Sequence, residues 1–264
     1  QEALHQETLA RQDALHQETL ARQDALTGEL HQVRRDAEQL FARLRQELRL
    51  SQRSTAIGGQ GSAVPAQHAG GVPAKLDGFY AAFEDAFRGD RASVKARQAV
   101  YLPHLLRARA GAPSAPVLDI GCGRGEWLEL LGENGLVASG VDLNALFVEQ
   151  CRSHGFEVFH GDAVARLAAL PDGALGAVSG FHIAEHLAFD TLVGLLDEVL
   201  RVLRPGGVLI LETPNPENLL VGALNFYDDP THRSPLTPRA LDFLACQRGY
   251  SATEILRLNP YPPS

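Results

Sequence analysis

The segment from Val117 to Trp127 constrains the fold of this 264-residue chain more than any other part of it. Its first four residues, Val117 to Ile120, form a mainly apolar run of the kind found in parallel strands that are covered on both faces. Three glycines follow at alternate positions: Gly121, Gly123 and Gly125. Glycine allows a tight turn and a close approach of the backbone to a ligand. A helix is predicted over Glu126 to Leu131, so the segment indicates a nucleotide-binding turn between a strand and a helix.

The spacing of the glycines separates this turn from two other nucleotide-binding turns. The order is G-x-G-x-G rather than the G-x-G-x-x-G of dinucleotide folds, and no Gly-Lys-Ser/Thr follows to hold a triphosphate. Asp119 precedes the first glycine. Asp142 lies in a second apolar strand, predicted over Val137 to Leu143, where a carboxylate can accept hydrogen bonds from a ribose diol. Asp162 likewise follows a glycine, Gly161, after a third predicted strand, Glu157 to His160.

Together these strings resemble the class I S-adenosylmethionine-dependent methyltransferases, from about Leu76 to the C-terminus. The resemblance implies an enzyme with S-adenosylmethionine as its cofactor. It places Asp119 and the first two glycines beside the methionine moiety, Asp142 at the ribose hydroxyls and Asp162 at the adenine amine. The full set of cofactor-binding residues that it implies is Asp119, Gly121, Gly123, Gly125, Asp142, Leu143, Asp162, Ala163 and Phe181.

The alternation of helices and strands predicts an α/β fold, a doubly wound, Rossmann-like parallel sheet with helices on both faces. The five strands are expected near Val117, Val137, Glu157, Ala174 and Val208. A turn, Arg204 to Gly207, leads into the fifth strand. Further helices are expected over Arg91 to Arg109 and Pro238 to Arg248, and an aromatic helical face over residues 79–87. A sixth strand is expected over Ala252 to Leu258, with the seventh strand of the family's sheet truncated.

The N-terminal part predicts a coiled-coil helix over residues 1–53. Leu4 to Ala14 is repeated letter for letter in Leu15 to Ala25, and leucines spaced four and three apart follow from Leu26 to Leu44. Self-association through this helix is expected. For its first half, a solvated helix that makes no oligomer contact is the alternative. Residues 54–75, rich in glycine and proline, are expected to be a flexible linker. The methyltransferase domain is then expected over residues 76–264.

Composition narrows the partners and the compartment. The net charge is −8 and aromatic residues make up 6% of the chain, which argues against nucleic acid as a partner. The three cysteines show no paired spacing, which favours reduced thiols and a cytoplasmic location. Contact with a membrane is expected only indirectly, through other proteins at the inner face of a bacterial membrane. The chain contains no methionine, so we expect it to be a piece of a longer protein.

The string Phe181-His182-Ile-Ala-Glu185-His186 places three ionisable side chains at the end of the fourth strand, where ligands bind in such sheets. His-x-x-Glu-His is also a zinc-peptidase motif. That motif needs a long helix to place its ligands on one face, whereas here the first His ends an apolar strand. The sequence therefore favours a methyltransferase site over a peptidase site.

This string resembles the Glu-x-x-Glu-His of the ubiquinone-pathway O-methyltransferases and the small-RNA 2′-O-methyltransferases, which bind a divalent ion together with a later His. The resemblance implies Glu185, His186 and His232 as catalytic residues and metal ligands, with His182 replacing the first Glu. A ligand set with three histidines is softer than a carboxylate-rich one, so it suits Mg²⁺ less well and leaves Zn²⁺, Mn²⁺ or no metal as alternatives. Two alternatives stay open: a metal-free site with His182 or His186 as general base, and a purely structural role.

The acceptor is predicted to be a hydroxyl group, and two kinds of molecule that carry such a group are considered. Two strings, ETPNPENLL and FYDDPTHRSPLTP, resemble methyltransferases encoded with bacterial surface-polysaccharide (O-antigen or capsule) enzymes, which favours a glycan acceptor. A quinone-like phenol is the alternative acceptor. A non-catalytic coiled-coil scaffold is the alternative from another class of function.

Overall fold

The computed structural model describes residues 77–78 and 88–259. The chain divides into two units, residues 1–67 and 68–264, and all described residues belong to the second. The predicted coiled-coil helix over residues 1–53, the predicted linker over residues 54–75 and the aromatic face over residues 79–87 lie outside the described residues.

The described residues contain one five-stranded parallel sheet in the order β3-β2-β1-β4-β5. The strands are β1 (Val117–Ile120), β2 (Ala138–Asp142), β3 (Val158–His160), β4 (Leu175–Phe181) and β5 (Leu203–Glu212). Every residue of β1 and of β4 is buried, as expected for central strands that are covered on both faces. The predicted doubly wound parallel sheet is therefore confirmed.

Helices follow or connect these strands as the sequence pattern predicts. They are α1 (Arg91–Gln98), α2 (Leu102–Arg107), α3 (Glu126–Glu133), α4 (Ala145–Ser153), α5 (Ala163–Ala168), α6 (Phe189–Val202), α7 (Leu219–Ala223) and α8 (Pro238–Gln247). A short 3₁₀ turn over Ala99–Tyr101 joins α1 to α2, so the single helix predicted over Arg91 to Arg109 is interrupted. No helix within residues 77–78 and 88–259 is long and apolar enough to cross a lipid bilayer.

The hydrophobic core lies on both faces of the sheet. Leu118 and Ile120 point into a cluster with Leu195 and other residues of α6, whereas Val117 points into a second cluster with Trp127 of α3. This alternation along β1 follows from the two-residue period of a strand. The two-sided burial fixes the sheet in register, and so it fixes the positions at which β1, β2, β4 and β5 end.

The turn predicted before the fifth strand appears as an irregularity within β5. Leu203 pairs with Leu175 and Val208 pairs with Ala177, so the residues between Leu203 and Val208 loop out of the ladder. Gly206 in this loop has a φ of +78°, which favours glycine.

The predicted sixth strand over Ala252 to Leu258 was wrong. Residues 252–258 form no strand, and all of them are exposed, with Ile255 42% accessible. A strand at the edge of a sheet needs one buried face to hold its register. These residues have no such face, so their apolar side chains do not secure a place in the sheet.

Candidate functional site

The glycine turn between β1 and α3 has the left-handed backbone that its sequence predicts. Gly121, Gly123 and Gly125 have φ values of +67°, +50° and +80°. A Cβ atom on Gly125 would lie 2.8 Å from the sulfur of Cys151, and one on Gly121 would lie 3.2 Å from Cδ1 of Ile183. The backbone angles and the close neighbours both require glycine, so the turn presents bare backbone at the carboxyl end of β1.

Asp142 ties the end of β2 to this turn. Its carboxylate accepts hydrogen bonds from the backbone N–H groups of Gly123 and Asn144, each at 2.8 Å. Burial raises the pKa of Asp142, while the two backbone hydrogen bonds act against that rise. A carboxylate has about four lone-pair positions, so two acceptor positions are left for the sugar hydroxyls that the sequence assigns to this residue. That assignment stays a prediction.

Asp119 is buried more deeply, with 2% of its surface exposed. Its carboxylate accepts a hydrogen bond from the hydroxyl of Ser179 at 2.7 Å, and that hydroxyl accepts one from the indole N–H of Trp127 at 2.9 Å. Burial raises the pKa of Asp119 to about 7. The chain of hydrogen bonds runs from α3 through β4 to β1 and supports the strand that carries the turn.

The other predicted cofactor residues lie near the same edge of the sheet. Phe181 is buried at the end of β4 and packs against the rings of Tyr101 and Trp127. Leu143 follows β2 and is exposed. Asp162 is exposed and caps helix α5, because its carboxylate accepts a hydrogen bond from the backbone N–H of Ala165. Ala163, the first residue of α5, is half-buried. The contact of Asp162 with an adenine amine stays a prediction.

A second group of side chains meets at the ends of β4 and β5. Glu185 and His186 lie on a 3₁₀ turn, Ala184–His186, just after β4, and His232 comes from the segment that follows β5. One potential ligand atom from each of the three lies within 4.8 Å of the other two. The backbone N–H of Arg233 donates to the carbonyl of Glu185 at 2.8 Å, which holds the two segments together. The turn is three residues long, so the long helix of a zinc peptidase is absent at this motif.

Within the described residues, the carboxylate of Glu185 has basic neighbours at only one of its two oxygens. The residue is 0% exposed, and neither of its oxygens makes a hydrogen bond within the part of the chain that the structure describes. Its nearest basic groups are Nδ1 of His182 at 3.3 Å and Nε2 of His232 at 3.8 Å. A buried carboxylate is costly unless a cation or several hydrogen bonds compensate it. One carboxylate and two imidazoles are ligands that suit Zn²⁺ or Mn²⁺, so these three residues fit a divalent ion.

His182 stands beside this cluster rather than within it. Its Nδ1 lies 3.3 Å from Oε1 of Glu185, and its Nε2 lies 3.3 Å from Oε1 of Glu212, the last residue of β5. Burial alone lowers the pKa of His182, but the two carboxylates outweigh it and raise the pKa to about 9. A doubly protonated imidazole has no lone pair for a metal or a proton. Both ring nitrogens of His182 face carboxylates, so the residue lies beside the three-residue cluster as a bridge between Glu185 and Glu212, and its role as a metal ligand stays a prediction.

Several residues that shape the site were not predicted from the sequence. The sequence motifs assign no role to Glu212, although its place at the carboxyl end of β5 is a signal for a site residue. It also accepts a hydrogen bond from the hydroxyl of Tyr101, which no sequence pattern connects to it. Thr231 and Asp229 precede His232 in Asp229-Pro-Thr-His232, and no sequence motif assigns them a role.

The chain is similar in sequence to known methyltransferases. A family model described as a methyltransferase domain matches residues 93–255. The ubiquinone biosynthesis O-methyltransferase of Psychrobacter arcticus is 30% identical over 176 residues, which cover 60% of this chain and 68% of that one. The enzyme of the same name from Xanthomonas oryzae pv. oryzae is 34% identical over 113 residues, 41% of this chain and 46% of its own length. This chain thus spans less than half of the Xanthomonas enzyme.

A solved structure supports the same assignment. An S-adenosylmethionine-dependent methyltransferase from Archaeoglobus fulgidus is 39% identical to this chain, with a TM-score of 0.59, over 65% of this chain and 74% of that one. The glycine turn, with Asp142 bonded to it, fits the cofactor of such enzymes. The chain therefore belongs to the methyltransferase-domain family and is an S-adenosylmethionine-dependent methyltransferase.

Proposed function

We propose that this chain methylates a hydroxyl oxygen of a quinone-like phenol, and that Glu185, His186 and His232 hold a divalent ion where the acceptor binds. The observation that carries the proposal is the carboxylate of Glu185. It is fully buried, and His182 and His232 lie beside its Oε1 only. Among the described residues its Oε2 has neither a hydrogen bond nor a charged neighbour, while a ligand atom from each of His186 and His232 lies within 4.8 Å of the carboxylate.

The three-residue cluster lies next to the glycine turn. Ile183, two residues before Glu185, has its Cδ1 atom 3.2 Å from the position of a Cβ on Gly121. The same turn of chain thus borders the cofactor turn on one side and carries the cluster on the other. Ligands of doubly wound sheets bind at this edge, so a methyl donor on the glycine turn and an acceptor at the cluster would be neighbours.

Methyl transfer to a hydroxyl requires that the acceptor oxygen lose its proton as the new carbon–oxygen bond forms and the carbon–sulfur bond breaks. S-adenosylmethionine supplies an electrophilic methyl group when bound. A divalent ion supplies Lewis-acid activation of the hydroxyl. Glu185, His186 and His232 would hold that ion. If no ion binds, His186 is the better candidate of the two predicted bases to accept the proton, because both nitrogens of His182 face carboxylates.

The segment that leads from β5 to His232 favours an apolar acceptor. The segment between β5 and His232 exposes Leu219 at 85% of its surface and Tyr227 at 62%, together with Leu220 and Leu224. Loops of this kind commonly carry acceptor specificity. The two relatives described above are named ubiquinone biosynthesis O-methyltransferase, a name that points to a quinone-like molecule and to an oxygen as the methylated atom. These observations support the phenol better than the glycan predicted from the loop strings.

A methyl-transfer assay with a panel of acceptors tests the proposal. The probes are a dihydroxybenzoate, a nucleotide sugar and a neutral oligosaccharide, each with and without a chelator, with methyl ethers detected by mass spectrometry. We expect a methyl ether only on the phenol, and loss of product with the chelator. A methylated sugar without a methylated phenol would overturn the acceptor, and full activity in a protein free of metal would overturn the ion.

A matched pair of variants checks where the reaction occurs. His232→Gln removes one member of the cluster, and His154→Gln changes an exposed histidine elsewhere on the surface. We expect turnover of the first variant to fall by at least about 10²-fold, the usual contribution of such groups, with donor affinity unchanged. The second variant should match the unaltered protein.

A further inference from the structure

We infer that Thr231 and Asp229 are positioning residues, which fix His186 in the tautomer that leaves its Nε2 free to bind an ion. The backbone carbonyl of Phe226 does the same for His232. This inference rests on the proposed metal site, and it adds residues that act through the ligands rather than on the ion itself.

The hydrogen bonds around Thr231 determine the proton position on His186. The hydroxyl of Thr231 donates its single proton to Oδ1 of Asp229 at 2.6 Å, and the backbone N–H of Thr231 donates to the same oxygen at 2.8 Å. Nδ1 of His186 lies 2.9 Å from the Thr231 hydroxyl oxygen. Since the hydroxyl proton is already committed to Asp229, this oxygen can only accept from His186. Nδ1 of His186 therefore carries the proton, and Nε2 carries the lone pair.

His232 reaches the same tautomer by a simpler contact. Its Nδ1 lies 2.6 Å from the carbonyl oxygen of Phe226, and a carbonyl oxygen can only accept. In neutral His232 the lone pair is therefore on Nε2, the nitrogen that lies 3.8 Å from Oε1 of Glu185 and 3.9 Å from Oδ2 of Asp229. The ring of Phe226, which is buried, packs against the His232 ring with centroids 4.6 Å apart, so the carbonyl and the imidazole keep their relative position.

The two contacts prepare both imidazoles in the state that an ion requires. Histidines that bind metals usually donate their other N–H to a carboxylate, a carbonyl or a similar acceptor, which fixes ring orientation and raises the basicity of the binding nitrogen. Here the acceptor for His186 is a threonine whose hydroxyl is oriented by Asp229. Binding an ion then needs no exchange of tautomers in either ring.

Substitution of Thr231 tests this role in the full-length chain. Thr231→Val keeps the shape of the side chain and removes the hydroxyl, whereas Thr231→Ser keeps the hydroxyl. Co²⁺ serves as the probe, because its visible absorption reports the ligand field as well as the affinity. We expect Thr231→Val to weaken Co²⁺ binding by about 10–100-fold, the usual effect of losing such a partner. Thr231→Ser should stay within about threefold of the unaltered protein.

Two further measurements separate the possible failures. Long-range ¹H–¹⁵N spectra of the metal-free protein should show the Nδ1-protonated form of His186 before the substitution and a mixture of tautomers in Thr231→Val. S-adenosylmethionine affinity should be the same in all three proteins, which checks that they are folded. An Nε2-protonated His186, or equal Co²⁺ affinity in the valine variant, would overturn the role of Thr231 and leave the metal site standing. Absence of Co²⁺ binding in the unaltered protein would overturn the metal site itself.

Discussion

Nε2 of His232 lies 3.8 Å from Oε1 of Glu185, although the two residues belong to segments that follow different strands. Glu185 follows β4, and His232 lies beyond β5 and the segment of residues 213–231. Because β4 and β5 are parallel neighbours, their carboxyl ends meet at one edge of the sheet. This relationship turns two separate sequence motifs into one candidate metal site next to the cofactor turn.

Asp142→Asn should weaken the binding of S-adenosylmethionine by about 1–3 kcal/mol, or roughly 5–150-fold in Kd. The substitution removes the charge that two ribose hydroxyls would meet, and it places an amide where Gly123 and Asn144 donate. Titration calorimetry measures the affinity. Glu157→Gln makes the same acid-to-amide change at an exposed position and should leave affinity unaltered. Equal affinities in the two variants would contradict the assignment of Asp142.

Gly125→Ala should destabilise the protein more than Gly135→Ala. Both glycines have positive φ, +80° and +70°, so an alanine at either position meets a similar backbone penalty. Only at Gly125 would the new Cβ also lie 2.8 Å from the sulfur of Cys151, whereas nothing lies within 4 Å at Gly135. We expect the free energy of unfolding to be lower in Gly125→Ala than in Gly135→Ala by at least about 1 kcal/mol, because that is the usual cost of overpacking. Urea titration measures it, and a zero difference would refute the close packing of the turn.

His182→Asn should change how stability depends on pH. The pKa of His182 is raised from 6.5 to about 9 in the folded protein. Its contribution is therefore fully present below pH 6.5 and is lost as the pH rises through 9. Asparagine tolerates the φ of +56° at this position.

The measurement is urea unfolding at several pH values in the presence of a chelator, which keeps the ligands free of metal. Between pH 6.5 and 9 we expect the unaltered protein and His154→Gln to lose stability more steeply than His182→Asn. Parallel curves for all three proteins would show that His182 does not form the cationic bridge between Glu185 and Glu212.

The residues spaced four and three apart from Leu26 to Leu44 form the predicted contact seam of the coiled coil. They lie outside the described residues, and they give a further prediction. Leu40→Asp places a charge on the seam predicted from Leu26 to Leu44, while Gln39→Asp places the same charge beside it. We expect the first substitution to reduce the oligomer to a monomer and the second to leave its mass unchanged. Light scattering of the full chain at micromolar concentration provides the masses. An unaltered protein that is already monomeric would contradict the seam.

The sequence was sufficient for the parallel sheet and for the cofactor turn, because both depend on local patterns. The apolar runs of β1 and β4 show their burial directly, and the spacing of Gly121, Gly123 and Gly125 predicts a left-handed turn wherever the chain lies. Glu185 and His186 could also be named as a pair, since neighbours in sequence after a parallel strand share one edge of the sheet.

Only the tertiary structure decided which groups meet across that edge. The partners of His182 are Glu185, three residues away, and Glu212 on another strand, and the second partner makes His182 a bridge between two carboxylates. The contact between Thr231 and His186 likewise depends on how the segment after β5 folds back over β4. Residues 252–258 failed to form a strand because strand formation requires a neighbour and a buried face. Contacts between distant segments depend on packing and hydrogen-bond geometry, which a one-dimensional pattern does not contain.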